Sequence, residues 1–273
     1  MQIREYSLPP GWFPHESGKV SAFLSEFDVS AGKSRAVIAP HAGWYYSGKL
    51  AALAISSLKR DIQIVIVLGG HLGKGSPPLF AMEDAVKTPF SSLEIDSELR
   101  SNLIKKIGGS EDRYRDNTIE VLLPMVHFFF PKARLLWLRL PSEIQSYETG
   151  KVISAVSKEM NLKTCVISST DLTHYGANYG FSPKGRGLAA LDWVRNVNDA
   201  NFIKAVENGD AAEVLRCGES EYASCSAGAV LGAMGFAEAE KLGSARLMEY
   251  GTSADKEGGV PDSFVGYAAL SFL

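Results

Sequence analysis

The chain has 273 residues, 45% hydrophobic and 22% charged, with a formal net charge of −3. That is ordinary globular composition, long enough for a core without staples and for one large α/β domain or two small ones. There is no block of Lys or Arg: Leu58-Lys59-Arg60 and Ile104-Lys105-Lys106 read as solvated helix faces. Nucleic acid and membrane surfaces are therefore not favoured partners. Three cysteines, Cys165, Cys217 and Cys225, are too few and too odd in number for a disulfide framework and suit a reducing compartment. The opening "MQIREYSLPPGWFP" has no apolar signal-peptide core. The most apolar windows, 62–70 and 121–131, are too short to span a bilayer. A cytoplasmic, soluble protein is expected.

In chain order, the first predicted strand covers 35–39, followed by a helix over 47–58 with apolar residues at Leu50, Ala54 and Leu58. A second strand covers 62–68. Asp96 then caps a helix carrying Leu99, Leu103 and Ile107 and stopped by Gly108-Gly109. A helix around His127 is expected to be buried and structural. After a strand at 134–140, Ser142 with Gln145 reads as a capping box before a helix over 144–160. A strand at 164–168 follows. Asp199 reads as the cap of a helix ending near Asn208-Gly209, Cys217 as a helix-end residue, and a further helix runs from about Cys225 to Leu242. Strands at 245–250 and 264–270 close the chain. With no linker or repeat, this alternation predicts a single α/β domain over 1–273: a mostly parallel central sheet with helices on both faces.

In such sheets ligands bind beyond the carboxyl ends of the strands. His41 follows the first strand and His71 follows "IVIVLGG". Asp171 and His174, in "SSTDLTHYG", follow the strand at 164–168, and Cys225 in "SCSAG" sits where a helix begins. Three of the five histidines thus end strands beside glycine or small residues, and a thiol at a helix N-terminus has a lowered pKa. His15 reads as a loop residue, and Cys165 as a small buried hydrophobe in its strand. The run "GGHLGKGS" fails as a phosphate loop: Gly75, not Ser or Thr, follows Lys74, and Leu68 stands where the first Gly is needed. Its glycines are expected to let the backbone turn sharply around His71.

Taken together, "GWFP", "APHAGWYYSG", "LGGH", "DNTIEVLLP", "SSTDLTHYG", "CSAGAV", "YGTSAD" and "FVGYAAL" resemble the Memo family. That family is structurally related to the class III, LigB-like extradiol ring-cleavage dioxygenases. The resemblance implies a fold of that kind and a metal site with His41, His71 and Cys225 as ligands. It also places Asp171 and His174 at the family's Asp and His. In the related dioxygenases the third protein ligand is a carboxylate, so a cysteine sets this branch apart from ordinary ring cleavage. Asn117 stands where the family usually shows a histidine; read alone, it is a helix cap paired with Glu120. The chain also has "GGH" where "GPNH" is usual.

Two imidazoles and a thiolate suit iron, copper or zinc. The resemblance favours Fe(II) or Cu over Zn. The leading reading is a metal-dependent, dioxygenase-like oxidoreductase acting on a small molecule, aromatic or phenolic. His174 would move a proton and Asp171 orient it. Trp44, Tyr45 and Tyr46 would wall the substrate, with Glu120 and Asp255 as polar groups at the rim. A second reading is a metal-free Cys225–His174–Asp171 set for acyl transfer. A third is a non-enzymatic module that binds a phosphorylated peptide or partner protein in the same pocket. The company of some family members adds a radical-generating enzyme as a further partner.

Overall fold

Side chains on a strand point alternately to its two faces, and here the alternation divides the core in two. Val37, Ala39, Val65, Val67, Leu135, Cys165 and Ile167 pack on one side. Ala36, Ile38, Ile64, Ile66, Leu136, Leu138 and Val166 pack on the other. The strands are apolar on both faces because helices cover both. In this computed structural model, which describes residues 1–27 and 32–273, the first face is covered by Ser17–Leu24, Trp44–Ser56 and Leu123–Phe129. The second is covered by Ser97–Ile107, Gln145–Glu159, Asp199–Glu207, Ala211–Glu221 and Ala227–Ala239.

Among the described residues the main sheet has nine strands. Its centre is parallel, in the order Ala36–Ala39, Thr164–Ser169, Ile64–Leu72, Arg134–Pro141. Ser263–Phe272 pairs antiparallel with Ala36–Ala39, Ala245–Thr252 and His174–Gly176. At the other edge, Leu79–Phe80 runs antiparallel to Arg134–Pro141 and carries Ser110–Glu111. The α/β class with helices on both faces is therefore as expected, with the parallel register confined to the four central strands. Ile3–Arg4, Ala85–Lys87 and Ser92–Glu94 form a second, small sheet, joined to the first by an isolated bridge between Ile95 and Leu135.

From Ala227 to Ala237 every residue of the last helix is buried. Its glycines allow this. A Cβ on Gly150, in the neighbouring helix, would lie 2.0 Å from the Gly232 carbonyl oxygen. The two helices therefore touch through backbone.

Asp96 caps its helix as predicted, accepting from the Leu99 N–H at 2.7 Å. Four local expectations are not met. The Ser142–Gln145 capping box does not form; the Ser142 N–H donates to the Leu72 carbonyl instead. Asp199 is not a cap, because a π-helical turn, Val194–Asn198, runs directly into Asp199–Glu207 and buries its carboxylate. Cys217 is a buried mid-helix residue of Ala211–Glu221. Asp116, not Asn117, caps Asn117–Glu120, and no capping box with Glu120 forms. Among the described residues no helix is long and apolar enough to cross a membrane.

Candidate metal centre

The Ala36–Ala39, Ile64–Leu72 and Thr164–Ser169 strands end at one edge of the sheet and deliver His41, His71 and Asp171 there. Cys225 arrives on the loop before Ala227–Ala239. One potential donor atom from each of His41, His71 and Cys225 lies within 4.8 Å of the others. His41 is buried and its Nε2 lies 3.3 Å from the Cys225 sulfur. The His41 and His71 rings meet edge to face, centroids 5.1 Å apart.

The other ring nitrogens are engaged. His41 Nδ1 lies 2.8 Å from the Ser169 hydroxyl, and His71 Nδ1 lies 2.9 Å from the Asp116 carboxylate. Asp116 is gripped by Thr118 and by Arg139 at 3.2 Å. The Asp116 carboxylate can only accept, so His71 carries a proton on Nδ1; both rings are held by Nδ1 with Nε2 turned toward the Cys225 side of the site. Donors bound to one ion at about 2.0–2.3 Å in tetrahedral geometry sit about 3.5 Å apart. Small side-chain movements reach that spacing, so the three residues fit a transition-metal ion.

The glycines before His71 work differently from the expected sharp turn. A Cβ on Gly69 would lie 2.4 Å from the Thr118 hydroxyl, and one on Gly70 would lie 2.3 Å from the Ser226 Cβ. They let the Asn117–Glu120 helix and the Cys225 loop close on the strand. The turn itself falls on His71, which sits at φ +56°. That left-handed conformation is uncommon outside glycine and concentrates at functional sites.

Asp171 organises the floor. Its carboxylate accepts the His41 backbone N–H at 2.7 Å, and its own N–H points at the Cys225 sulfur at 3.3 Å. The Cys225 N–H donates back to the Asp171 carbonyl at 3.2 Å. Asp171 is thus bonded to His41, not to His174 as expected. His174 lines the cavity with Nδ1 3.1 Å from the Leu172 carbonyl and its ring edge-on to Tyr179.

Burial opposes charge on Cys225, yet His41 and His71 bring its thiol well below its ordinary value. Burial likewise disfavours a charged His71, but Asp116 and Cys225 push it up to about 10. Burial works against charge on His41, which the Asp171 carboxylate and Cys225 sulfur nonetheless raise. Burial raises the Asp171 carboxyl, with His41 opposing. The lowering at the Cys225 thiol comes from the two imidazoles. Burial pushes the Cys165 thiol up to about 12, in keeping with a buried strand residue.

Above this floor opens a cavity of about 660 Å³, walled by Trp12, Tyr45, Tyr46, Tyr179 and Tyr267 with Asn117 and Asn178 among its polar groups. Asn117 donates from Nδ2 to the His41 carbonyl at 3.0 Å. Tyr45 and Tyr46 are therefore residues of the cavity wall. Trp44 is not: it packs on Phe23 and donates its indole N–H to the Val121 carbonyl. Glu120 lies beneath the N-terminal segment and accepts the Ser7 and Leu8 N–H groups at 2.9 Å. Asp255 closes a capping box with Thr252 and pairs with Arg195, away from the cavity lining. His127, on the helix Leu123–Phe129, bonds the Thr88 hydroxyl of a distant loop, and exposed His15 stacks on Tyr6.

Sequence reasoning missed Asp116, Ser169, Tyr179 and Tyr267. Asp116 had a local signal, because an acid two residues before a threonine at a helix start is a cap pattern. The tyrosines had none.

Residues 4–271 match the family model described as Memo-like protein. A MEMO1 family protein of Pyrococcus horikoshii is 28% identical over 290 residues, covering 98% of this chain and 99% of the relative. One of Methanopyrus kandleri is 31% identical over 246 residues, covering 86% of this chain and 82% of the relative. The crystal structure of an uncharacterized Escherichia coli K12 protein superposes with a TM-score of 0.55 at 12% identity, over 88% of this chain and 100% of that one, which speaks for the fold alone. Motifs in family order, a match along nearly the whole chain and full-length relatives lead to one conclusion: this chain belongs to the Memo family.

Proposed function

We propose that the chain is a metal-dependent oxidoreductase, dioxygenase-like, that acts on a small molecule with an aromatic or phenolic ring. One observation carries the reading: His41, His71 and Cys225 present donor atoms within 4.8 Å of one another at the floor of an aromatic-walled cavity. A thiolate between two imidazoles holds protons where a cation can replace them. Fe(II) or Cu is favoured over Zn by the family resemblance; such a metal, when bound, supplies redox chemistry at its open positions.

The protein's own part is positional. Ser169 and Asp116 hold the two imidazoles by Nδ1, and Asp171 fixes the His41 backbone. Tyr45, Tyr46 and Tyr179 offer ring faces and edges to a planar substrate. The Leu172 carbonyl can only accept, so His174 carries its proton on Nδ1 and keeps Nε2 to accept one from a bound phenol.

A second reading has a specific observation behind it. Cys225 and His41 Nε2 are 3.3 Å apart, as a nucleophile and base would be, with the His41 ring held at Nδ1 by the Ser169 hydroxyl. In that metal-free acyl transfer the base is His41 rather than His174. Activity that survives chelation favours it.

The test is metal analysis of tag-free protein purified without air. His41→Ala and Cys225→Ser should each lose most of the bound metal, while His127→Ala keeps it. Full occupancy in either of the first two refutes the ligand assignment.

A further inference from the structure

We infer that Asp199 is the positioning residue for His174, acting from beneath the cavity through Thr173. Asp199 is fully buried and, among the described residues, no Lys or Arg forms a salt bridge with it. A buried carboxylate without a cation is costly unless donors surround it. Here they do. The Thr173 N–H donates to Oδ1 at 3.1 Å, the Thr173 hydroxyl donates to the same oxygen, and the Tyr250 hydroxyl donates to Oδ2 at 2.8 Å. Asn198 completes the set, donating to the Thr173 hydroxyl at 2.9 Å and to the Glu221 carbonyl at 3.0 Å.

Two backbone features exist to bring the carboxylate there. The π-helical turn Val194–Asn198 adds a residue to the helix path and swings Asn198 and Asp199 inward. Opposite, Gly266 leaves a notch: a Cβ there would lie 1.9 Å from Asp199 Oδ2 and 3.3 Å from the Leu172 Cβ. Gly266 also bonds the same segment through backbone, accepting from Leu172 at 2.8 Å and donating to the Thr173 carbonyl at 3.0 Å. Leu172-Thr173 is thus held from both sides, by Gly266 backbone and Asp199 side chain. The Leu172 carbonyl that fixes the His174 ring belongs to this held segment.

The use of His174 as a proton acceptor rests on the oxidoreductase reading; the placement of its ring does not. The experiment is therefore run on metal-free protein, by nitrogen-15 NMR of the histidine rings, with His174 assigned through His174→Gln. In the parent, the His174 Nδ1–H resonance should be visible and slow to exchange. In Asp199→Asn, one neutral amide oxygen replaces two charged carboxylate oxygens, so the Thr173 donors or the Tyr250 hydroxyl lose their acceptor; that resonance should shift and exchange faster, while the His127 ring is unchanged. Tyr250→Phe removes only the Oδ2 donor and should shift the same resonance in the same direction by less. It serves alone if Asp199→Asn does not fold. An unchanged His174 signature in folded Asp199→Asn, or in Tyr250→Phe when that variant stands alone, overturns the inference. Metal uptake at His41, His71 and Cys225, measured separately on Tyr250→Phe, should equal the parent; its failure in the parent would count against the proposed function and leave this result standing.

Discussion

Replacing Arg139 with methionine probes how the His71 side of the site is held. The guanidinium is 4% exposed and lies 3.2 Å from both Asp112 and Asp116, and its Nε–H donates to the Gly70 carbonyl at 2.9 Å. The Asp112 side chain is fully buried and the Asp116 side chain 8% exposed. Methionine fills most of the volume but leaves the Asp112 carboxylate to the Trp137 indole at 2.8 Å and the Tyr114 N–H at 3.3 Å, while the Arg4 guanidinium bonds the Asp112 backbone carbonyl. Breaking a buried ion pair from one side costs about 3–5 kcal/mol, because the remaining charge stays desolvated. Arg139→Met should therefore lower the unfolding free energy by about that much in urea melts. The double change Arg139→Met with Asp112→Asn should recover part of the loss, since it removes the stranded charge. With Asp116 less firmly held, metal affinity should also fall by roughly 10–100-fold, the usual effect of losing a group that orients a ligand. A loss below about 1 kcal/mol with an unchanged denaturant slope would refute the reasoning, because such a value belongs to an exposed pair.

Three other outcomes follow from the same geometry. In metal-free native protein at neutral pH, iodoacetamide should label Cys225 and spare Cys165 and Cys217: His41 and His71 bring the first thiol well below its ordinary value, while burial pushes the other two up to about 12. Mass spectrometry should find all three labelled in denaturant, and native labelling of Cys165 would contradict the packing. Gly150→Ala should destabilise by about 1–3 kcal/mol in thermal or urea melts, since its Cβ must push the Gly232 backbone away; an unchanged melting curve would mean the helices are not in backbone contact. Glu120→Ala should free the Ser7 and Leu8 N–H groups and expose the N-terminal segment to limited proteolysis, with metal content retained. Equal cleavage in parent and variant would show that the carboxylate does not anchor the segment.

The six principal strands were legible because continuous Val- and Ile-rich runs between helix signals mark strands buried on both faces, and the observed bounds differ little from the predicted ones at 35–39 or 164–168. Asp96 was legible for the same local reason, since a cap depends on residues three apart. His41, His71, Asp171 and His174 could be placed at one sheet edge because parallel strands put their carboxyl ends together, while Cys225 was placed there by the start of a helix. Tertiary structure decided the partners. Asp171 bonds His41 rather than His174, Trp44 faces Phe23 rather than the cavity, and Asp199 reaches Thr173 rather than capping a helix. A cap obeys sequence spacing, whereas a buried carboxylate must take whichever donors the packed chain brings within reach, here from residues 130 and 26 positions away.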